Sequence, residues 1–282
     1  MHPKNPFAKD YNFSTLIANH PPLNHFVFKN NYGNTTIKFA NNEAVIALNT
    51  ALLKTHYELN YWKIPEDNLC PPIPGRLDYL LHVADLLNKT DIHLLDIGTG
   101  PNLIYPILAR CHFNWRCTAS EVNTDSLRNA QKIISKNKIL TNIELRHQQF
   151  KTQILENIIH PTDYFDVVVC NPPFFKNRTE AEQSNQRKFK NLDLKGQNSK
   201  NFGGLSNELW YKGGEVAFIR KMTEESIQFK EQVHWFTVIV SQKENLKNCK
   251  RAINKTKPTN IKIVEMEQGN KQSRFIAWTF KT

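Results

Sequence analysis

The chain has 282 residues, 40% apolar and 22% charged, enough to pack one large α/β domain with a smaller attachment, or two modest domains. Nowhere does it hold the run of about 18 apolar residues that a membrane span requires, its first residues lack the apolar core of a secretory signal, and its five scattered cysteines form no zinc-ligand spacing, so we expect reduced core thiols, no structural metal and a cytoplasmic protein. Lys and Arg number 37 against 26 Asp and Glu, a formal net charge of +11, which suits a polyanion such as nucleic acid and equally suits a generally basic enzyme.

Residues 42–57 carry apolar side chains at 44, 45, 48, 51, 52 and 53, a helical stripe. The segment Cys70-Pro71-Pro72-Ile73-Pro74-Gly75-Arg76 follows and reads as an extended connector, because three prolines in four residues do not sit in a helix interior. Residues 77–87 then look helical. We read 1–88 as a small, mainly helical N-terminal module. From residue 92 strands alternate with helices: strands at 93–97, 116–120, 143–147, 165–170 and 233–240, helices at 102–110, 124–137, 216–229 and 246–253. Two closing strands, 260–267 and 273–280, turn near Gly269-Asn270. That order predicts a doubly wound, mostly parallel seven-stranded sheet, a Rossmann-like α/β fold over 89–282, with the final hairpin making one edge strand antiparallel. Residues 176–215 interrupt the alternation. Within them, 176–200 hold seven positive and three negative residues and read as a long, mobile loop, which in a compact domain is usually functional or disordered.

The first of these strands ends in Asp96-Ile97-Gly98-Thr99-Gly100. Glycines at a strand-to-helix turn let the backbone approach a ligand closely. The third glycine of a dinucleotide fingerprint is missing, since Leu103 stands there, which argues against pyrophosphate and against a nicotinamide-dependent dehydrogenase. Glu121 ends the second strand, where an acidic side chain can accept from both ribose hydroxyls of an adenosine-containing ligand. The fourth strand ends in Asn171-Pro172-Pro173-Phe174. An exocyclic adenine amine is a poor nucleophile because its lone pair is delocalised. Two acceptors, the Asn171 side-chain carbonyl and the Pro172 backbone carbonyl, would favour its tetrahedral form and hold it in line with a methyl donor. Pro172 and Pro173 stiffen the loop, and Phe174 offers a face for a flipped-out base. Glutamine-amide methylation needs the same tetrad, usually with Tyr in fourth place.

The chain resembles the ribosomal RNA large subunit methyltransferase F family, adenine-N6 methyltransferases of 23S rRNA related to a eukaryotic enzyme that modifies U6 small nuclear RNA. Besides the glycine turn and the tetrad, the resemblance lies in Met1-His2-Pro3-Lys4-Asn5, Leu69-Cys70-Pro71-Pro72-Ile73-Pro74-Gly75-Arg76, Asn201-Phe202-Gly203-Gly204, Glu208-Leu209-Trp210, Gly213-Gly214-Glu215 and Lys271-Gln272-Ser273-Arg274-Phe275. It implies a class I methyltransferase fold using S-adenosyl-L-methionine at Gly98, Thr99, Gly100 and Glu121, with Arg76 pairing the methionine carboxylate and Asn102 as a further contact. Asp96 would orient the turn. The implied substrate is one adenine of 23S rRNA, free or in a large-subunit assembly intermediate, and nothing demands more than a monomer.

A second basic stretch, 242–257, sets Lys243, Lys247, Lys250, Arg251, Lys255 and Lys257 against Glu244 alone, suiting phosphate contacts. Phe174, Phe175, Phe189, Trp210 and Tyr211 are candidates for stacking on unpaired bases. Phe175, Phe189 and Trp210 suit core or loop anchors equally well. An intact tetrad and Gly98/Glu121 pair argue against a non-catalytic RNA-binding remnant.

Overall fold

The computed structural model describes residues 1–282 except 66–67, 69, 178, 181–209 and 269–270. Most of the 176–200 stretch, with Phe189, the 201–204 and 208–209 motif residues, Leu69 and the 269–270 turn therefore lie outside the described residues.

The N-terminal segment forms helix α1 (Phe13–Asn19), a hairpin of strands β1 (Val27–Lys29) and β2 (Thr35–Ile37), and helix α2 (Asn42–Tyr57). The Asn41 side chain caps α2 by accepting from the Glu43 and Ala44 amides. The prolines do not all belong to a connector. Helix α3 (Ile73–Leu87) starts inside the segment, with Pro74 in its first turn, where a missing N–H goes unnoticed and the fixed φ is already helical. Arg76 therefore stands on a helix. His2 and Asn5 explain their motif here. The His2 amide donates to Asp78 at 2.7 Å, and the Asn5 side chain donates to the Pro74 carbonyl at 3.0 Å, which ties the chain's start to the first turns of α3.

The remaining elements are β3 (His93–Ile97), α4 (Ile104–Phe113), β4 (Arg116–Glu121), α5 (Thr124–Ser135), β5 (Ile143–His147), β6 (Phe165–Cys170), α6 (Gly214–Ser226), β7 (Val233–Ile239), α7 (Leu246–Lys255), β8 (Asn260–Gln268) and β9 (Lys271–Thr279). The seven-stranded sheet runs β5-β4-β3-β6-β7-β9-β8. Its first five strands are mutually parallel, and β9 runs antiparallel to both neighbours. The reversed strand is thus inside the sheet and not at its edge, contrary to the expectation from sequence. Phe275-Ile276-Ala277-Trp278 is buried on both faces, as an interior strand must be, whereas β8 exposes Lys262, Glu265 and Glu267, which suits an edge.

One face of the sheet packs with α2, α3, α4, α5 and the N-terminal apolar residues in one continuous cluster, and the other packs with α6 and α7. Residues 60–63 strap the N-terminal segment across the glycine turn. Trp62 Nε1 donates to the Asn102 carbonyl at 2.8 Å, the Asn129 side chain donates to the carbonyls of Lys63 and Pro101, and Asn137 Oδ1 accepts from the amides of Asn60 and Tyr61.

Candidate active site

Four adjacent parallel strands, β5, β4, β3 and β6, end at one crevice, the place where open α/β sheets bind ligands. A cavity of about 440 Å³ is lined there by Gly98, Glu121, Gln148, Ile154, Asn171 and Trp210, among others. A smaller one, about 70 Å³, is lined by Arg76, Gly98, Thr99, Gly100, Asn102, Tyr105, Pro172 and Phe174. Gly98 and Asn171 line both, so the turn and the tetrad meet at their junction.

The turn is built for close approach. Gly98 and Gly100 have φ of +73° and +64°, and the amides of Gly98 and Thr99 both donate to the Ser120 carbonyl at 3.0 Å. A Cβ on Gly98 would meet no atom within 4 Å, so the space beside it is open. Gly98→Ala should cost about 1–2 kcal/mol in folding stability from the left-handed backbone. Its methyl group would also intrude on the ligand's space, and titration should show cofactor affinity falling about tenfold or more.

Glu121 is buried, and its carboxylate organises the turn. Oε2 accepts from the Gly100 amide at 3.0 Å, and Oε1 accepts from the amides of Val122 and Asn123 at 2.8 and 2.9 Å. Burial raises its pKa against these three bonds. With two acceptor sites per oxygen, Oε2 keeps capacity for a ribose hydroxyl.

Among the described residues Asp96 accepts from no backbone amide of the turn, and its carboxylate lies against the Thr99 side chain there. It is buried with both carboxylate oxygens unpartnered, beside the equally unpartnered Thr99 hydroxyl. Burial pushes its carboxyl up to about 7, tempered by nearby Thr99 and Arg76 and reinforced by Glu121. An unfolded Asp releases its proton near pH 4, so between about pH 4 and 7 the folded chain binds the extra proton and stability falls as pH rises. Asp96→Asn should therefore raise the melting temperature above pH 7, with a gain that vanishes as pH is lowered toward 4. A gain independent of pH would contradict this.

Asn102 lines the smaller pocket, but its Oδ1 accepts from the Ile104 amide at 3.1 Å, so its side chain serves the start of α4. The Asn171 Oδ1 is buried and unpartnered. Pro173 faces the larger cavity, while Pro172 and Phe174 border the smaller one. Phe175 bridges to Trp210, and the Tyr211 amide donates to the Phe175 carbonyl at 3.0 Å, which brings the Trp210-Tyr211 segment to the tetrad. The motif Gly213-Gly214-Glu215 then turns into α6 with φ of +89° and +73° at the glycines. Buried Glu215 accepts from the Ser241 amide and the Asn245 side chain at 2.6 and 2.7 Å.

Sequence reasoning missed Tyr105, Gln148 and the wall at 151–154. Gln148 directly follows the end of β5, so strand order could have found it. Tyr105 looks like any apolar residue on a helix stripe.

The parallel sheet with its reversed penultimate strand, the two-glycine turn and the tetrad at one crevice define a class I methyltransferase. The model of the RNA methyltransferase family matches residues 1–282, and the chain belongs to that family. It is similar to ribosomal RNA large subunit methyltransferase F of Christiangramia forsetii, 47% identical over 99% of this chain and 100% of that one, and to its namesake in Colwellia psychrerythraea, 46% identical over 99% of both. Among solved structures it is similar to the hMettl16 catalytic domain in complex with a MAT2A 3′UTR hairpin (TM-score 0.85, 28% identity, covering 100% of this chain and 96% of that one). It is also similar to the N-terminal domain of human METTL16 in complex with SAH (TM-score 0.79, 25% identity, 100% and 99%).

Proposed function

We propose that this enzyme transfers a methyl group from S-adenosyl-L-methionine to the N6 amino group of one adenine in 23S rRNA. The observation that carries the reading is the buried, unpartnered Asn171 Oδ1 at the junction of two pockets. One pocket carries groups suited to adenosine, and the other has an arginine suited to a carboxylate. The residues present fit the cofactor. Glu121 and Gln148 would hold the adenosine part, Gly98 would let it pass close to the backbone, and Arg76 with Thr99 would take the methionine end. Bound there, the cofactor supplies an electrophilic methyl group on its sulfonium.

The chain's own residues do the rest. Asn171 Oδ1 and the Pro172 carbonyl accept from the adenine amino group, drawing its lone pair out of conjugation and aiming it at the methyl group. The prolines keep those acceptors in place before the base arrives, and Phe174 lies where a ring can rest on an extruded base. Residues 1–88, strapped over the turn, would act as a module covering the cofactor end. The substrate is the rRNA itself or a large-subunit assembly intermediate, met in the cytoplasm by a monomer. No helix among the described residues is long and apolar enough to cross a membrane.

Incubation with labelled S-adenosylmethionine and, separately, ribosomal RNA, ribosomal proteins and assembled subunits tests the acceptor. Label should enter rRNA, and label confined to protein would refute the proposal. Phosphate binding is assigned to the surface of α7 and the turns on either side of it, where Lys243, Lys247, Lys250, Arg251, Lys255 and Lys257 are all exposed. Reversing Lys247, Lys250 and Arg251 to Glu should weaken RNA binding. It should also lower the slope of log affinity against log salt by about one per lost contact, with cofactor affinity unchanged.

A further inference from the structure

Arg76 does not stand free in its pocket. Its Nη1 donates to the Tyr105 hydroxyl at 2.9 Å, and its guanidinium lies 5.5 Å from that ring's centroid. Tyr105 is itself held firmly. It is buried, its ring meets Tyr79 edge-on at 5.7 Å, and the Tyr79 hydroxyl is hydrogen-bonded to Thr237 Oγ1 at 2.6 Å. Thr237 in turn donates to the Val168 carbonyl in β6 at 2.9 Å. The phenol is thus fixed to the middle of the sheet.

Two further groups give this contact a purpose. The Arg76 Nε is buried without a partner, and both oxygens of buried Asp96 are unpartnered as well. Once Asp96 loses its proton, opposite charges in so dry a place attract strongly, and the Arg76 charge is felt at Asp96. Yet the guanidinium rests on the phenol and makes no hydrogen bond to that carboxylate. With Nη1 engaged, the Nε–Nη2 edge remains, the two-donor edge that a carboxylate takes in a fork. Arg76 and Tyr105 both line the smaller pocket.

We propose that Tyr105 is a positioning residue: its hydroxyl holds the Arg76 guanidinium off Asp96 and presents the Nε–Nη2 edge to ligands that bear an amino-acid carboxylate. The proposal rests on the reading that places the cofactor's methionine end at Arg76.

Calorimetric titration of the whole protein with two ligands separates the possibilities. S-adenosylhomocysteine carries the carboxylate, and 5′-methylthioadenosine lacks the amino-acid part. Tyr105→Phe should weaken S-adenosylhomocysteine about tenfold, the scale of one hydrogen bond to a charged group, and leave methylthioadenosine within about twofold, which also reports that the variant folds. Arg76→Ala should weaken S-adenosylhomocysteine further and spare methylthioadenosine. The double variant should be no worse than Arg76→Ala, because the phenol acts only through the guanidinium. Equal weakening or loss of both ligands in Tyr105→Phe, additive losses in the double variant, or unchanged S-adenosylhomocysteine affinity in Tyr105→Phe while Arg76→Ala loses it would each overturn the inference alone. Unchanged binding in Arg76→Ala would instead overturn the placement of the methionine end, and the inference with it.

Discussion

Replacing Asn171 with alanine is expected to lower turnover by roughly 10²-fold or more while cofactor affinity stays nearly unchanged, the scale of removing one preorganised transition-state partner. The asymmetry follows from where the side chain sits. Its Oδ1 is buried and bonded to nothing among the described residues, so truncation orphans none of them and costs the fold little. Asn171 follows β6, whose residues are all buried, so the loop's anchor survives the change. What disappears is an acceptor needed only when the adenine amine leaves conjugation. In single-turnover kinetics the defect should lie in the chemical step, with substrate affinity changed much less. Asn171→Asp would restore an acceptor but bring a charge into a dry site and should stay well below wild type. Wild-type turnover in Asn171→Ala would remove the mechanism.

The largest effect on stability is expected at Glu225, on α6. This side chain is 1% exposed, and its Oε2 accepts from three consecutive amides, Ile154, Leu155 and Glu156, at 3.0, 2.6 and 3.1 Å. Such a row of backbone N–H groups makes an anion-binding concavity, here filled by a side chain from a distant helix. Lys221 approaches Oε1 at 3.0 Å from the half-exposed side. Glu225→Ala would leave buried donors unpaired and should cost about 3–5 kcal/mol, read as a shift in the urea midpoint. Ile154 lines the larger cavity, so cofactor affinity should fall too. Lys221→Met, which removes only the partly exposed partner, should cost less than about 1 kcal/mol. Similar losses in the two variants would show that the ion pair, and not the amide row, fixes this wall.

Much of this site is legible in the sequence because its parts sit at strand ends. Gly98 and Asn171 each follow a mainly apolar run that reads as a buried strand, Glu121 ends the next strand in the alternation, and β3, β5 and β6 have the bounds expected from that pattern. The resemblance added Arg76, which no local pattern singles out. Where reading by pattern failed, long-range packing decided. Pro74 looked like a helix breaker, yet its neighbours Ile73, Leu77 and Leu80 are fully buried, and that packing draws the helix back through the proline. The order of the last two strands was available from burial character, since the unbroken Phe275-Ile276-Ala277-Trp278 run belongs inside a sheet and the alternating β8 at its edge. Roles were harder to see than positions. Beside Asp96, the residue expected to orient the turn, Glu121 reaches the Gly100 amide. Which carboxylate reaches an amide depends on a packing geometry that spacing does not encode. Tyr105 and Glu225 were invisible for the same reason, because their partners lie 29 residues and about 70 residues away in the chain.

The central claim is tested most directly by identifying the methylated nucleoside. Ribosomal RNA lacking the modification is incubated with the purified protein and S-adenosylmethionine, digested, and analysed by mass spectrometry, with Asn171→Ala in parallel. N6-methyladenosine should form with the wild-type chain and be nearly absent with the variant. A methyl group on another nucleobase, on ribose or on a protein glutamine would contradict the account.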